Sequence, residues 1–69
     1  MIIYLNGEQR QVDTTATLLD ILGNDADGGE LRRGVAVVVD GSVVPRSSIA
    51  ETELTEGVRV EIVTAVQGG

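Results

Sequence analysis

The opening stretch, MIIYLNGEQRQV, runs from five apolar residues into a polar segment that closes on Val12. Met1, Ile3 and Leu5 share one side of an extended strand, and Ile2 and Tyr4 share the other. Asn6-Gly7 then predicts a tight hairpin, because a type I′ turn needs positive φ at both central residues. The returning segment, Glu8 to Val12, is mostly polar and reads as a sheet edge. The period then changes. In DTTATLLDILGND, Leu18, Ile21 and Leu22 recur at helical spacing. Thr17 followed by Asp20 three residues on predicts a capped helix start, and Gly23 or Asn24 is placed to end the helix in the left-handed conformation.

NDADGGELRRG has no period and reads as a loop. VAVVVD is a strand buried on both faces, or on one face with the other kept for a partner. DGS turns it into the short strand VVP, which Pro45 ends. SSIAE offers Ser48 and Glu51 as a second capping box, enough for one helical turn. VRVEIVTAV is a long last strand, with Val58, Val60 and Ile62 on one side and Arg59, Glu61 and Val63 on the other.

This order predicts an α+β fold: a mixed sheet with one main helix across one face, the first and last strands parallel and adjacent in its middle. That arrangement is the β-grasp, or ubiquitin-like, fold. The expected organisation is one domain over 1–66 and a flexible Gly-Gly tail over 67–69. One helix covers one face of the sheet. Alternation puts Ile2, Tyr4, Ala36, Val38, Val63 and Ala65 on the other. A contiguous apolar patch there fits protein docking, whereas scattered apolar residues are ordinary surface.

Composition narrows the chemistry. In 69 residues there is no cysteine and no histidine, which removes thiolate zinc sites, disulfides, the commonest metal ligand and the usual general base. Asp25 and Asp27 resemble the start of a calcium loop but lack the later glutamate, so no metal site is expected. The formal charge of −6 disfavours nucleic acid and anionic membrane; it reads first as simple solubility, and it also suits a basic partner surface. No apolar run reaches the ~20 residues of a membrane-spanning helix. The start lacks the pattern of a secretory signal, so a cytoplasmic protein is expected. All five basic residues are arginine. Arg46 could pair with a nearby acid or contact a partner, the structural role being favoured, and Arg32 and Arg33 read as solvated.

The last residues, Gln67-Gly68-Gly69, raise a separate possibility. A terminal carboxylate becomes reactive when joined to the α-phosphate of ATP as a mixed anhydride, in a narrow site that excludes water. Glycine lets such a tail thread a channel and leaves the carbonyl open to a nucleophile. From glycine's share of about 7%, a chance Gly-Gly pair at that place occurs in roughly one sequence in two hundred. The pair therefore gains weight mainly from following the last strand of a β-grasp domain.

With these pieces in place, the chain resembles the small ubiquitin-like sulfur carriers and, within them, the ThiS family of thiamine biosynthesis. The resemblance covers nearly the whole length. It is carried by NG at the first turn, TLLDIL, VAVVVDGSVVPR, the EG turn and the final GG. VVPR favours the thiamine branch, and VTAVQGG lacks the proline-containing segment typical of the molybdopterin branch. The resemblance implies that Gly69 is adenylated by an E1-like, ThiF-like enzyme using ATP and magnesium. A persulfide donor then converts it to a thiocarboxylate. That sulfur passes to thiazole synthase, a ThiG-like partner. Gly68 and Gln67 would form the thin passage, and Val63, Ala65, Val38 and Tyr4 the docking surface. The chain itself would be a co-substrate with no catalytic residue, no bound cofactor and no metal.

Alternatives of other kinds remain at this stage. One is a carrier serving molybdopterin, cysteine or a secondary metabolite. Another is a protein modifier, although chains linked through lysine are ruled out by the absence of lysine. A third is a binding module with an incidental tail.

Overall fold

The computed structural model describes residues 1–28 and 30–64. Strand β1 (Ile2–Leu5) and β2 (Glu8–Gln11) form the predicted hairpin, with Leu5 opposite Glu8 and Ile2 opposite Gln11. Asn6 and Gly7 sit at φ 50° and 82°, the left-handed values that the two-residue turn demands.

Helix α1 (Leu18–Leu22) starts at Thr17. The Thr17 hydroxyl accepts from the Asp20 N–H at 3.3 Å, and the Asp20 carboxylate accepts from the Thr17 N–H at 2.9 Å. This reciprocal cap satisfies two of the donors that a helix start leaves without partners. Gly23 ends the helix at φ 53° and ψ −118°. The positive φ was expected, but ψ lies outside the left-handed helical region, and a 3₁₀ turn (Gly23–Asp25) follows. No neighbour crowds a side chain at this position, so the constraint is on the backbone alone.

The segment expected to be a loop carries a small hairpin, β3 (Ala26–Asp27) and β4 (Glu30–Leu31). It buries Leu31 and forms a separate two-stranded sheet. The main sheet continues with β5 (Val35–Val39), β6 (Ser42–Val43) and β7 (Arg59–Thr64). Its strand order is β2-β1-β7-β5-β6. β7 lies in the centre, parallel to β1 and antiparallel to β5. β2 is an edge strand with all four residues exposed, as its polarity required.

The turn before β7 corrects one expectation. Residues Arg46–Glu51 form a 3₁₀ helix that begins after Pro45 without a side-chain cap, so Ser48 and Glu51 make no capping box. The Ser48 N–H donates to the Pro45 carbonyl at 2.9 Å inside the turn, while the Ser48 carbonyl accepts from the Thr52 hydroxyl at 2.7 Å.

The core is aliphatic. Ile3, Leu18, Val37, Ile49 and Val60 are each at most 1% exposed and bring together β1, α1, β5, the 3₁₀ helix and β7. Ile3, Val35, Val37, Val58 and Val60 all point to the helix side, so alternation along the three central strands places their other residues on the uncovered side. At about 25 cal/mol per Å² of apolar burial, a core this small supports only a marginally stable domain, and each of these side chains matters. The expected domain edge at residue 66 and the 67–69 tail lie outside the described residues.

Candidate functional site

The uncovered sheet face is built by strand register. Val38 on β5 lies opposite Val43 on β6 and opposite Glu61 on β7. One rung pair further along, Ala36 lies opposite Val63. Arg59, two residues before Glu61, lies opposite Tyr4 on β1. The three large apolar side chains that are exposed among the described residues are Tyr4 at 36%, Val43 at 69% and Val63 at 51%. All three belong to this face. The helix side hides its apolar residues, whereas this side displays them, which is what a docking surface requires.

Of the four side chains expected to dock, the structure brings Val38 and Val63 together and leaves Tyr4 apart, across Arg59 and Glu61. Ala65, Gln67, Gly68 and Gly69 lie outside the described residues. Val43 is the member that sequence reasoning missed. A strand of two residues shows no alternation, so its facing is decided by the turn that precedes it. Asp40 and Gly41, at φ 47° and 85°, return the chain in the register that sets Val43 beside Val38. The Asp40 carboxylate fastens this turn to the central strand by accepting the Arg59 N–H at 3.1 Å. The Asp40 N–H in turn donates to the Arg59 carbonyl at 2.8 Å.

Charge is concentrated in the middle of the face. Arg59 and Glu61 sit on the same side of β7, yet the one ion pair among the described residues is Arg10 with Glu8, at 3.2 Å on the edge strand. Two shallow hollows adjoin them. One, of about 380 Å³, is lined by Val38, Asp40, Gly41, Arg59 and Glu61. The other, of about 280 Å³, lies between Tyr4, Gly7 and the same two charged residues. Neither is the enclosed, mostly apolar cleft of a small-molecule site. Among the described residues no three acidic side chains converge as metal ligands would, and no helix is long and apolar enough to cross a membrane.

Arg46 has the structural role expected of it, but through different partners. Among the described residues its guanidinium meets no acid; it donates instead to the backbone carbonyls of Leu31 and Arg32, the latter at 2.9 Å. It thereby ties the β3–β4 hairpin to the 3₁₀ helix, on the far side of the core from the exposed valines.

Comparison with known proteins agrees with this geometry. Residues 3–69 match the model of the ThiS family. A thiazole synthase from Paramagnetospirillum magneticum is 35% identical over 69 residues, which is all of this chain and 20% of that protein. The chain thus spans about a fifth of the length of that curated relative. The crystal structure of a thiamine biosynthesis protein (ThiS) from Geobacter metallireducens matches with a TM-score of 0.75 at 25% identity, over 100% of both chains.

Proposed function

The chain belongs to the ThiS family, and from that membership we propose that it is a sulfur carrier for thiazole formation in thiamine biosynthesis. The observation that carries the reading is the family match over residues 3–69, which spans both the folded body and Gly68-Gly69. The β-grasp body holds and presents; the reactive group is the carboxyl of Gly69.

The chemistry takes place in the partners' sites. A carboxylate oxygen of Gly69 attacks the α-phosphorus of ATP in an E1-like adenylating enzyme, and pyrophosphate leaves. The terminal sulfur of a persulfide then attacks the acyl carbon and AMP leaves. Cleavage of the S–S bond by a thiol releases the thiocarboxylate. Thiazole synthase accepts that sulfur. The uncovered sheet face, with Val38 and Val63, supplies the docking contact that holds the chain while Gly69 is presented. In this scheme the protein is a co-substrate: a general base and a nucleophile are needed, and the partners provide both.

The experiment is intact mass spectrometry of the chain ending at Gly69, after incubation with the adenylating enzyme of the same genome, ATP, magnesium and a persulfide donor. The expected product is heavier by the difference between sulfur and oxygen, with the change mapped to Gly69. Unaltered mass with an enzyme that is active on its own carrier would overturn the proposal. Thiazole synthase should then consume the modified form and return the original mass.

A further inference from the structure

The uncovered face makes a partner meet two chemistries at once. Val38 and Val43 lie side by side on β5 and β6, and Val63 lies on β7. Glu61 is the direct cross-strand neighbour of Val38 and stands two residues before Val63 on the same side of β7. A surface that covers these three valines therefore covers Glu61 too. The Glu61 carboxylate has no ion-pair partner among the described residues, although Arg59 is only two positions away on the same strand face. Removing an unpaired carboxylate from water is strongly unfavourable, and apolar contacts around it do not offset that cost. A matching cation does.

We infer that the surface docking on this face is apolar around a single cationic side chain, arginine or lysine, that pairs with Glu61. The occupant is the adenylating enzyme, so the inference rests on the function proposed above. The hollow beside Glu61, about 380 Å³ and walled on its other side by Val38, Asp40 and Gly41, has room for a guanidinium or ammonium head. Asp40 adds a second negative charge to that hollow. Arg59, which lines it as well, repels an incoming cation and directs it towards the valine side. The overall charge of −6 draws a cationic surface from a distance, and Glu61 fixes where it lands. Glu61 thus sets partner specificity: a surface with the right apolar shape but no cation at this point, or with an acid there, is rejected.

The test measures binding kinetics and steady-state adenylation of Glu61 variants with the adenylating enzyme of the same genome. Glu61→Gln, nearly isosteric and exposed, is expected to raise Kd, and KM for the carrier, by about 30-fold or more, through faster dissociation. kcat at saturation should be unchanged. Glu61→Lys should be worse than Glu61→Gln. Glu30→Lys makes the same change in net charge outside this face and should alter binding little. Wild-type values for Glu61→Gln overturn the inference and leave the sulfur-carrier reading standing. So does an effect confined to association rate and abolished by salt, because it places Glu61 on a wet rim. An enzyme that neither binds nor adenylates the wild-type chain overturns both.

Discussion

Ile62, on the central strand, donates its backbone N–H to the side-chain oxygen of Asn6 at 2.8 Å, joining positions 56 residues apart. β1 ends at Leu5, and the Asn6 N–H still reaches the Val60 carbonyl at 2.9 Å. There the backbone turns away, and the Asn6 side chain supplies the next rung of the parallel ladder. Asparagine therefore serves twice, as a turn former at φ 50° and as a strand extension. Asn6→Gly keeps the turn and loses the rung, for a cost of about 1 kcal/mol. Asn6→Ala loses the rung and strains the turn, for about 2–3 kcal/mol. In a domain of this size each kcal/mol lowers Tm by about 4–8 °C. Thermal melts followed by circular dichroism should rank wild type, Asn6→Gly and Asn6→Ala in that order.

Arg46 gives a second stability prediction. Its planar guanidinium bonds the Leu31 and Arg32 carbonyls together, a fork that lysine cannot reproduce. Arg46→Ala leaves both carbonyls to water at the rim of the core, and the exposure of the site keeps the loss near about 1 kcal/mol. The local effect should be larger. Amide exchange of residues in β3 and β4 should accelerate well beyond that in β1 and β7, and Arg46→Lys should recover only part of the protection. Equal acceleration everywhere would mean that the hairpin opens only with the whole fold.

These two residues also show what was legible in the sequence. The Asn6-Gly7 hairpin, the Thr17–Asp20 cap and the alternation of the last strand are short-range signals, and each appeared in the structure. The β-grasp order followed from them, with the first and last strands parallel in the middle. Position along the chain does not reveal which carbonyl a long side chain reaches, so Arg46 was expected to meet an acid. Two-residue strands carry no period, which hid β3, β4 and the facing of Val43, although Gly28-Gly29 was a usable turn signal. Ser48 and Glu51 have capping-box spacing, but Pro45 already starts the turn at Arg46, which puts Ser48 inside it. In the candidate site, alternation along β5 and β7 is enough to put Val38 and Val63 on one face. Alternation also puts Glu61 on that face, but its position beside Val38 depends on the register of β5 with β7, which no short-range signal carries.

Asp13, in the turn before α1, predicts a pH dependence. Its carboxylate accepts the Thr15 N–H at 2.8 Å and the Thr15 hydroxyl at 2.7 Å. The backbone bond first, and the hydroxyl second, hold the Asp13 pKa below its ordinary value of 3.8. Because the folded value is the lower one, the ionised carboxylate favours folding at any pH above the unfolded pKa. That contribution declines as pH falls below the unfolded value and vanishes once pH passes below the folded one. Titration of the side chain by NMR should give a midpoint under 3.8. Thr15→Ala should move it only part of the way back, since the stronger backbone bond remains. Full return to the ordinary value would assign the effect to the hydroxyl instead.

The division of the open face between valines and Tyr4 leads to a prediction about docking. Glu61 is flanked by Val38 on β5 and by Val63 on its own strand, with Val43 one strand further out beside Val38, whereas Tyr4 on β1 lies opposite Arg59. Val43 and Val63 are more than half exposed, so an aspartate at either position disturbs no packed core. Val43→Asp and Val63→Asp should therefore remain folded, at a cost of about 1 kcal/mol or less from the poorer strand propensity of aspartate. Each places an unpaired carboxylate among the valines, in a region that a docked partner would dry. Each should raise KM for adenylation of the carrier by about tenfold or more, equivalent to at least ~1.4 kcal/mol of lost binding. Tyr4→Ala, across Arg59, should have a smaller effect if the valine side forms the centre of the contact. The decisive comparison is Val43 against Tyr4 under identical conditions. A larger loss at Tyr4 would shift the contact to the β1 side of β7, where it would no longer cover the valines.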